Sequence, residues 1–116
     1  MPDPGCLFCS IVAGDIASTP VLSTELAYAF RDVNPGAPTH VLVVPREHIT
    51  DAHALEPSHA TVLSAVFAAA KEVAVLEGLE ERGYRLVFNI GEDSGNSVPH
   101  LHLHVLGGRR MAWPPG

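Results

Sequence analysis

Residues 100–106 read His-Leu-His-Leu-His-Val-Leu, and strict alternation over that length predicts a strand. Successive strand side chains point to opposite faces. His100, His102 and His104 therefore share one face, and Leu101, Leu103 and Val105 share the other. The leucine face needs a cover. The imidazoles, roughly 6–7 Å apart along the strand, need a purpose.

Residues 57–77 can supply the cover. Val62, Leu63, Val66, Phe67, Ala70, Val73 and Ala74 recur at helical spacing, with Ser64, Lys71 and Glu72 largely elsewhere. Pro57 suits a first turn and Gly78 a stop. "AYAFRD" (27–32) alternates large and small residues as a strand does. "HVLVVP" (40–45) is a β-branched run ending at a proline, the pattern of a buried strand. The prolines and glycine of "RDVNPGAPT" make a turn between them. "YRLVFNI" (84–90) predicts a third strand, joined to the histidine strand by the polar loop "GEDSGNSVP". The result is an α+β core, strand–strand–helix–strand–strand, with an antiparallel sheet covered on one face by the helix. No regular element is assigned to the Gly- and Pro-rich first 20 residues or to the tail "GGRRMAWPPG".

A chain of 116 residues is read as one domain, 1–116. At 47% hydrophobic and 17% charged it is globular in composition. A net charge of −6, with seven Lys and Arg in no long run, argues against a nucleic-acid partner. No apolar run is judged to approach the ~20 residues of a membrane span. Nor does "MPDPGCLFCS" have the basic and apolar segments of a signal peptide. The expected location is the cytoplasm, where Cys6 and Cys9 stay reduced and a C-x-x-C pair points to metal or redox chemistry.

Three uses fit the imidazole face: a solvated surface, a metal site, or nucleophilic attack at phosphorus. His-x-His on a strand can chelate an ion, although a cupin-type centre also needs a downstream acid, and "VLGGRRMAWPPG" has none. Imidazole suits phosphorus chemistry because its ordinary pKa near 6.5 leaves it mostly neutral at pH 7. Gly91, Gly95, Asn96 and Ser97 on the preceding loop offer N–H and hydroxyl donors to an anion.

"HLHLHVLGG" resembles the histidine triad pattern of the HIT nucleotide-binding proteins. "RDVNPGAPTHVLVVPREHI", "YRLVFNIGEDSGNSVPHLHLHVLGGR" and the terminal "WPPG" resemble its Hint branch. The resemblance spans essentially the whole chain. It implies a five-stranded antiparallel sheet with a long helix on one face, continued across a homodimer. It also implies hydrolysis of purine nucleoside phosphoramidates without a catalytic cofactor, releasing the nucleoside monophosphate. Carried over by position, His102 is the nucleophile that forms a nucleotidyl-histidine. His104 contacts phosphate and helps protonate the departing amine, His100 orients His102 through its backbone carbonyl, and His40 is the fourth active-site histidine. Ser97 joins the catalytic group. Asp32 takes the ribose hydroxyls; Asn89, Gly95, Asn96 and Ser97 contact phosphate; Leu7, Phe8, Phe30 and Val33 pack the base. Trp113, on the tail, shapes the leaving-group pocket across the dimer.

Two positions depart from the branch. Asn96 replaces a common glutamine and is one methylene shorter, and Pro99 stands where an aromatic is common, removing an N–H before the triad. In relatives with an N-terminal C-x-x-C, the matching residues hold structural zinc, which implies Cys6, Cys9, His48 and His100 here. His53 and His59 are expected as surface histidines. Other readings remain: a dinucleoside polyphosphate hydrolase, a nucleotide-binding regulatory protein, or a zinc-dependent scaffold.

Overall fold

A computed structural model of the chain describes Asp3 and residues 5–116. Helix α1 spans Leu7–Ala13 and helix α2 spans Ala60–Leu76. The strands are β1 (Pro20–Ser23), β2 (Ala27–Arg31), β3 (Thr39–Pro45), β4 (Arg85–Phe88) and β5 (Leu103–Gly107). They form one antiparallel sheet in the order β1-β2-β3-β5-β4.

The period-two and period-3.6 patterns meet in one core. Ala27 and Ala29 of β2, Val41 and Val43 of β3, and Leu103 and Val105 of β5 face Val66, Ala69, Ala70, Val73 and Ala74 of α2. Small residues at 27, 29, 69, 70 and 74 let the helix lie close to the sheet. Arg31 donates to both carboxylate oxygens of Glu77 at 2.7 and 2.9 Å, bridging β2 to the end of α2. Gly78, at φ 70°, ends the helix: the Leu79 N–H turns back to the Ala74 carbonyl at 2.8 Å, and Leu79 is buried.

Four features differ from the sequence reading. Helix α1 forms where no element was assigned. Cys6 caps it by accepting the Cys9 N–H on Sγ, Gly14 ends it at φ 85°, and Phe8, Cys9 and Ile11 are buried. Propensity is weak over seven residues, and the burial on the second sheet face stabilises it. Edge strand β1 was also unassigned, being short and bulged between Pro20 and Leu22. The histidine strand begins at Leu103 rather than residue 100, so His100 and His102 lie on its approach. Finally, Pro57–Leu76 is long and apolar enough to cross a membrane by length and composition, against the expectation that no such run exists. Its buried stripe packs on the sheet as a core helix does.

Candidate active site and metal centre

The sheet face opposite α2 carries Tyr28, Phe30, Leu42 and Val44, covered in part by α1 through Phe8 and Ile11. Beyond that cover lies a cavity of about 420 Å³, into which His102 and His104 project. The same cavity is lined by Leu7, Phe8, Phe30, Asp32, Val33, Asn89, Gly95, Asn96 and Ser97. Thus the cavity-facing residues expected from sequence are brought together, apart from Gly91, Trp113, His40 and His100. Trp113 is 80% exposed, lies over Arg85 at 5.9 Å, and is not part of this chain's cavity. His40 stands behind His104, and His100 is turned elsewhere.

The hydrogen bonds assign the ring protons. A carbonyl can only accept, so His102 Nδ1 donates to the His100 carbonyl at 2.7 Å and its Nε2 keeps a free lone pair. The Phe8 ring meets the His102 ring edge-on, with centroids 5.1 Å apart. The Gly36 N–H donates to His40 Nδ1 at 2.8 Å, which puts the His40 proton on Nε2. That proton points to His104 Nδ1 at 2.8 Å, with Asp32 Oδ2 at 3.4 Å as a second acceptor. His104 then carries its own proton on Nε2; Asn89 Nδ2, 3.4 Å away, is also a donor, so the two bond only with the amide turned to present its oxygen. Asp32 is itself placed by the Asn34 N–H, which donates to Oδ1 at 2.8 Å.

Burial pushes the His104 pKa down to about 4, with the neighbouring imidazoles His102 and His40 pushing the same way and Asp32 opposing. Burial also lowers His40, against Asp32. Both rings are therefore neutral at pH 7, as the chain of donors and acceptors requires. Asp32, His40 and His104 place ligand atoms within 4.8 Å of one another, close enough for a metal ion. The Gly36 N–H argues against one there, because it forces His40 Nε2 to be a donor toward the other two groups.

His100 was expected on the open imidazole face, yet it is fully buried, at 0% exposure. Its Nε2–H donates to the Pro45 carbonyl at 3.0 Å, leaving Nδ1 bare. That nitrogen lies 3.2 Å from Cys6 Sγ, 3.5 Å from Cys9 Sγ and 3.3 Å from His48 Nδ1. The four ligand atoms all fall within 4.8 Å of one another. Two thiols and two imidazole nitrogens fit a tetrahedral zinc ion. Asp3 Oδ2, 3.8 Å from His48 Nε2, adds the outer carboxylate common at such centres. Burial lowers the His100 pKa and keeps the ring neutral, as a ligand must be, while burial raises the Cys6 thiol, which needs a cation to stay ionised.

Some lining residues were missed. Ile11 follows Leu7 by one helical turn, a signal available once α1 is recognised. Ile16, Ala17 and Ser18 also line the cavity, but they lie in an irregular segment with no periodicity to read. His59, expected as a plain surface histidine, accepts the Glu56 N–H at 3.0 Å in a capping box before α2. Asn96 Oδ1 is buried without a partner among the described residues.

The model of the HIT domain matches residues 13–111. The chain is 44% identical over 118 residues to a 14 kDa zinc-binding protein of Zea mays, covering 100% of this chain and 91% of the relative. It is similar to a HIT family hydrolase from Legionella pneumophila, with a TM-score of 0.94 and 46% identity over 97% of this chain and 100% of that one. A histidine triad nucleotide-binding protein from Candida albicans superposes with a TM-score of 0.81 at 29% identity, over 95% of this chain and 83% of that one. With its alternating histidines, five-stranded sheet and near-complete match, the chain belongs to the HIT domain family.

Proposed function

We propose that the protein hydrolyses the P–N bond of purine nucleoside 5'-phosphoramidates through a covalent intermediate on His102. The observation that carries this reading is the His102 Nδ1–H bond to the His100 carbonyl at 2.7 Å. It leaves an unprotonated Nε2 in a cavity that also holds His104, Ser97 and Asn89. The neighbours named a HIT family hydrolase and a nucleotide-binding protein support the class.

In this mechanism the purine lies in the apolar slot of Leu7, Phe8, Phe30 and Val33, which favours a flat base by contact area without selecting adenine over guanine. Asp32 takes the ribose hydroxyls. His104 Nε2–H, Ser97 and Asn89 hold the phosphoryl oxygens, and Gly95 lets the loop backbone approach them. His102 Nε2 attacks phosphorus and the P–N bond breaks. The amine leaves with a proton passed from solvent along Ser97 and His104. Water then attacks the phosphorus, the P–Nε2 bond breaks, nucleoside monophosphate departs, and the proton returns to solvent. No step requires a cofactor.

Cys6, Cys9, His48 and His100 would hold structural zinc, which supplies a cross-link between α1, the segment after β3 and the approach to β5. The relative named a zinc-binding protein supports this. A homodimer is part of the reading, since β4 is a sheet edge and Phe67, Leu76, Tyr84 and Ile90 stand exposed on α2 and beside β4. The partner's copy of the tail would bring Trp113 to the leaving group. A reducing cytoplasm suits the two free thiols.

The test is turnover of an adenosine phosphoramidate by wild type and His102→Ala, with and without chelator. Loss of at least ~10³-fold in the variant alone supports the nucleophile. Activity that survives the substitution but fails with chelator would overturn it in favour of metal chemistry.

A further inference from the structure

The geometry points to Arg109 as a positioning residue for the histidine relay, acting through the peptide of Gly36. This inference rests on the phosphoramidase reading for its kinetic arm only. Arg109 lies outside the cavity, beyond the end of β5. Its Nη2 donates to the Gly36 carbonyl at 3.0 Å, and its Nη1 donates to the Arg110 carbonyl at 3.1 Å. Gly36 in turn donates its N–H to His40 Nδ1 at 2.8 Å, and His40 Nε2 meets His104 Nδ1 at 2.8 Å. Hydrogen bonds on either side of the Gly36 backbone thus link an exposed guanidinium to a histidine of the cavity wall.

Among the described residues, the Gly36 N–H is the group that holds His40 Nδ1 as an acceptor. The Asp32 carboxylate, which only accepts, supports the same form from the Nε2 side, with His104 Nδ1 as the nearer acceptor. The segment carrying Gly36, between Asp32 and Thr39, is an irregular turn with no ladder bonds of its own. Among the described residues it is held by the Asp32 N–H to the His40 carbonyl at 3.0 Å, the Asn34 N–H to Asp32 Oδ1, the Gly36 N–H to His40 Nδ1 and the Arg109 contact, the one that comes from the tail. The chain reaches that contact through Gly108, at φ 92°, where a Cβ would lie 2.8 Å from Pro38 Cβ. Only glycine passes there, so the "GGR" sequence delivers the guanidinium against the turn. A guanidinium meets the two carbonyls with two separate nitrogens in a fixed plane, a pre-organisation that a compact ammonium lacks. The charged and titratable groups facing His40 are Asp32 after β2 and His104 on β5, with His102 beyond it.

Arg109→Ala, Arg109→Lys and wild type should be compared in two ways. The first is the kcat and KM for an adenosine phosphoramidate; the second is the protonated nitrogen of His40, read by ¹⁵N NMR of the ring. Arg109→Ala is expected to lower kcat about 5- to 10-fold with KM held within about twofold, and to turn His40 from the Nε2–H form into a mixture of both forms. Arg109→Lys should fall between. Gly36→Ala, whose Cβ meets His40 Nδ1 at an ordinary 3.7 Å and which keeps the N–H, should retain the single form. An unchanged His40 form in Arg109→Ala overturns the inference, whatever the kinetics. If wild type fails to turn over the phosphoramidate, the substrate reading fails while the NMR comparison still decides the role of Arg109.

Discussion

His100 offers its carbonyl to His102 Nδ1 at 2.7 Å while its own ring nitrogen lies 3.2 Å from Cys6 Sγ. One residue thereby belongs to two centres, the backbone to the nucleophile and the side chain to the thiol–imidazole cluster. Anything that loosens the cluster should be felt at His102 through the His100 backbone, and at the cavity wall through Leu7 and Phe8 of α1.

Replacing both Cys6 and Cys9 by serine is expected to reduce bound zinc from about one per chain to a trace and to lower Tm, since the cross-link is lost. The kcat should fall further than nucleotide affinity. Metal content by mass spectrometry beside a thermal melt checks this, and equal, negligible zinc in both proteins would end the zinc assignment.

Acid should destabilise the fold through His104. Its folded pKa is about 4 against roughly 6.5 when unfolded. Between these values the unfolded chain binds the proton and the folded chain does not, so stability falls as pH drops from about 6.5 toward 4. His104→Asn should show a shallower decline in Tm over that window. Identical slopes for the two proteins would contradict the assignment.

Leu103 is almost wholly buried between β5 and α2. Leu103→Ala removes buried methyls and leaves a cavity, at a cost of about 2–5 kcal/mol. Denaturant titration should give a lower midpoint with little change in slope.

Asp32→Ala should raise KM for ribonucleoside phosphoramidates, whereas wild type and variant should handle 2'-deoxy substrates more nearly alike. A variant that discriminates ribose from deoxyribose as wild type does would remove Asp32 from sugar recognition.

Truncation of residues 112–116 should change preference among amine leaving groups more than nucleotide affinity, if Trp113 acts across a dimer. Sedimentation of the same protein establishes whether the dimer survives the cut. An unaltered amine profile in an intact dimer would refute the role.

Much of the site was legible because its side chains follow short-range patterns. The alternation placed Leu103 and Val105 under α2, and the motif resemblance pointed to Asp32, Asn89 and the Gly95–Ser97 loop, which line one cavity. Helix α1 was not legible, since seven residues with Gly and Pro nearby have little intrinsic helicity and are held by burial on the sheet. Ser18 and Ile16 were missed for the same reason: an irregular segment has no period.

By itself the sequence determined which faces are apolar, where the long helix and its stop lie, and which histidines alternate with leucine, because these depend on spacing along the chain. Tertiary structure decided which ring nitrogen of each histidine holds its proton and which centre each joins. His100 and His102 look equivalent in "HLHLHVL". Yet the Pro45 carbonyl and the two thiols claim the ring of one, while the cavity receives the ring of the other. Those partners lie between 55 and 94 residues away from His100, and only folding brings them within hydrogen-bonding distance.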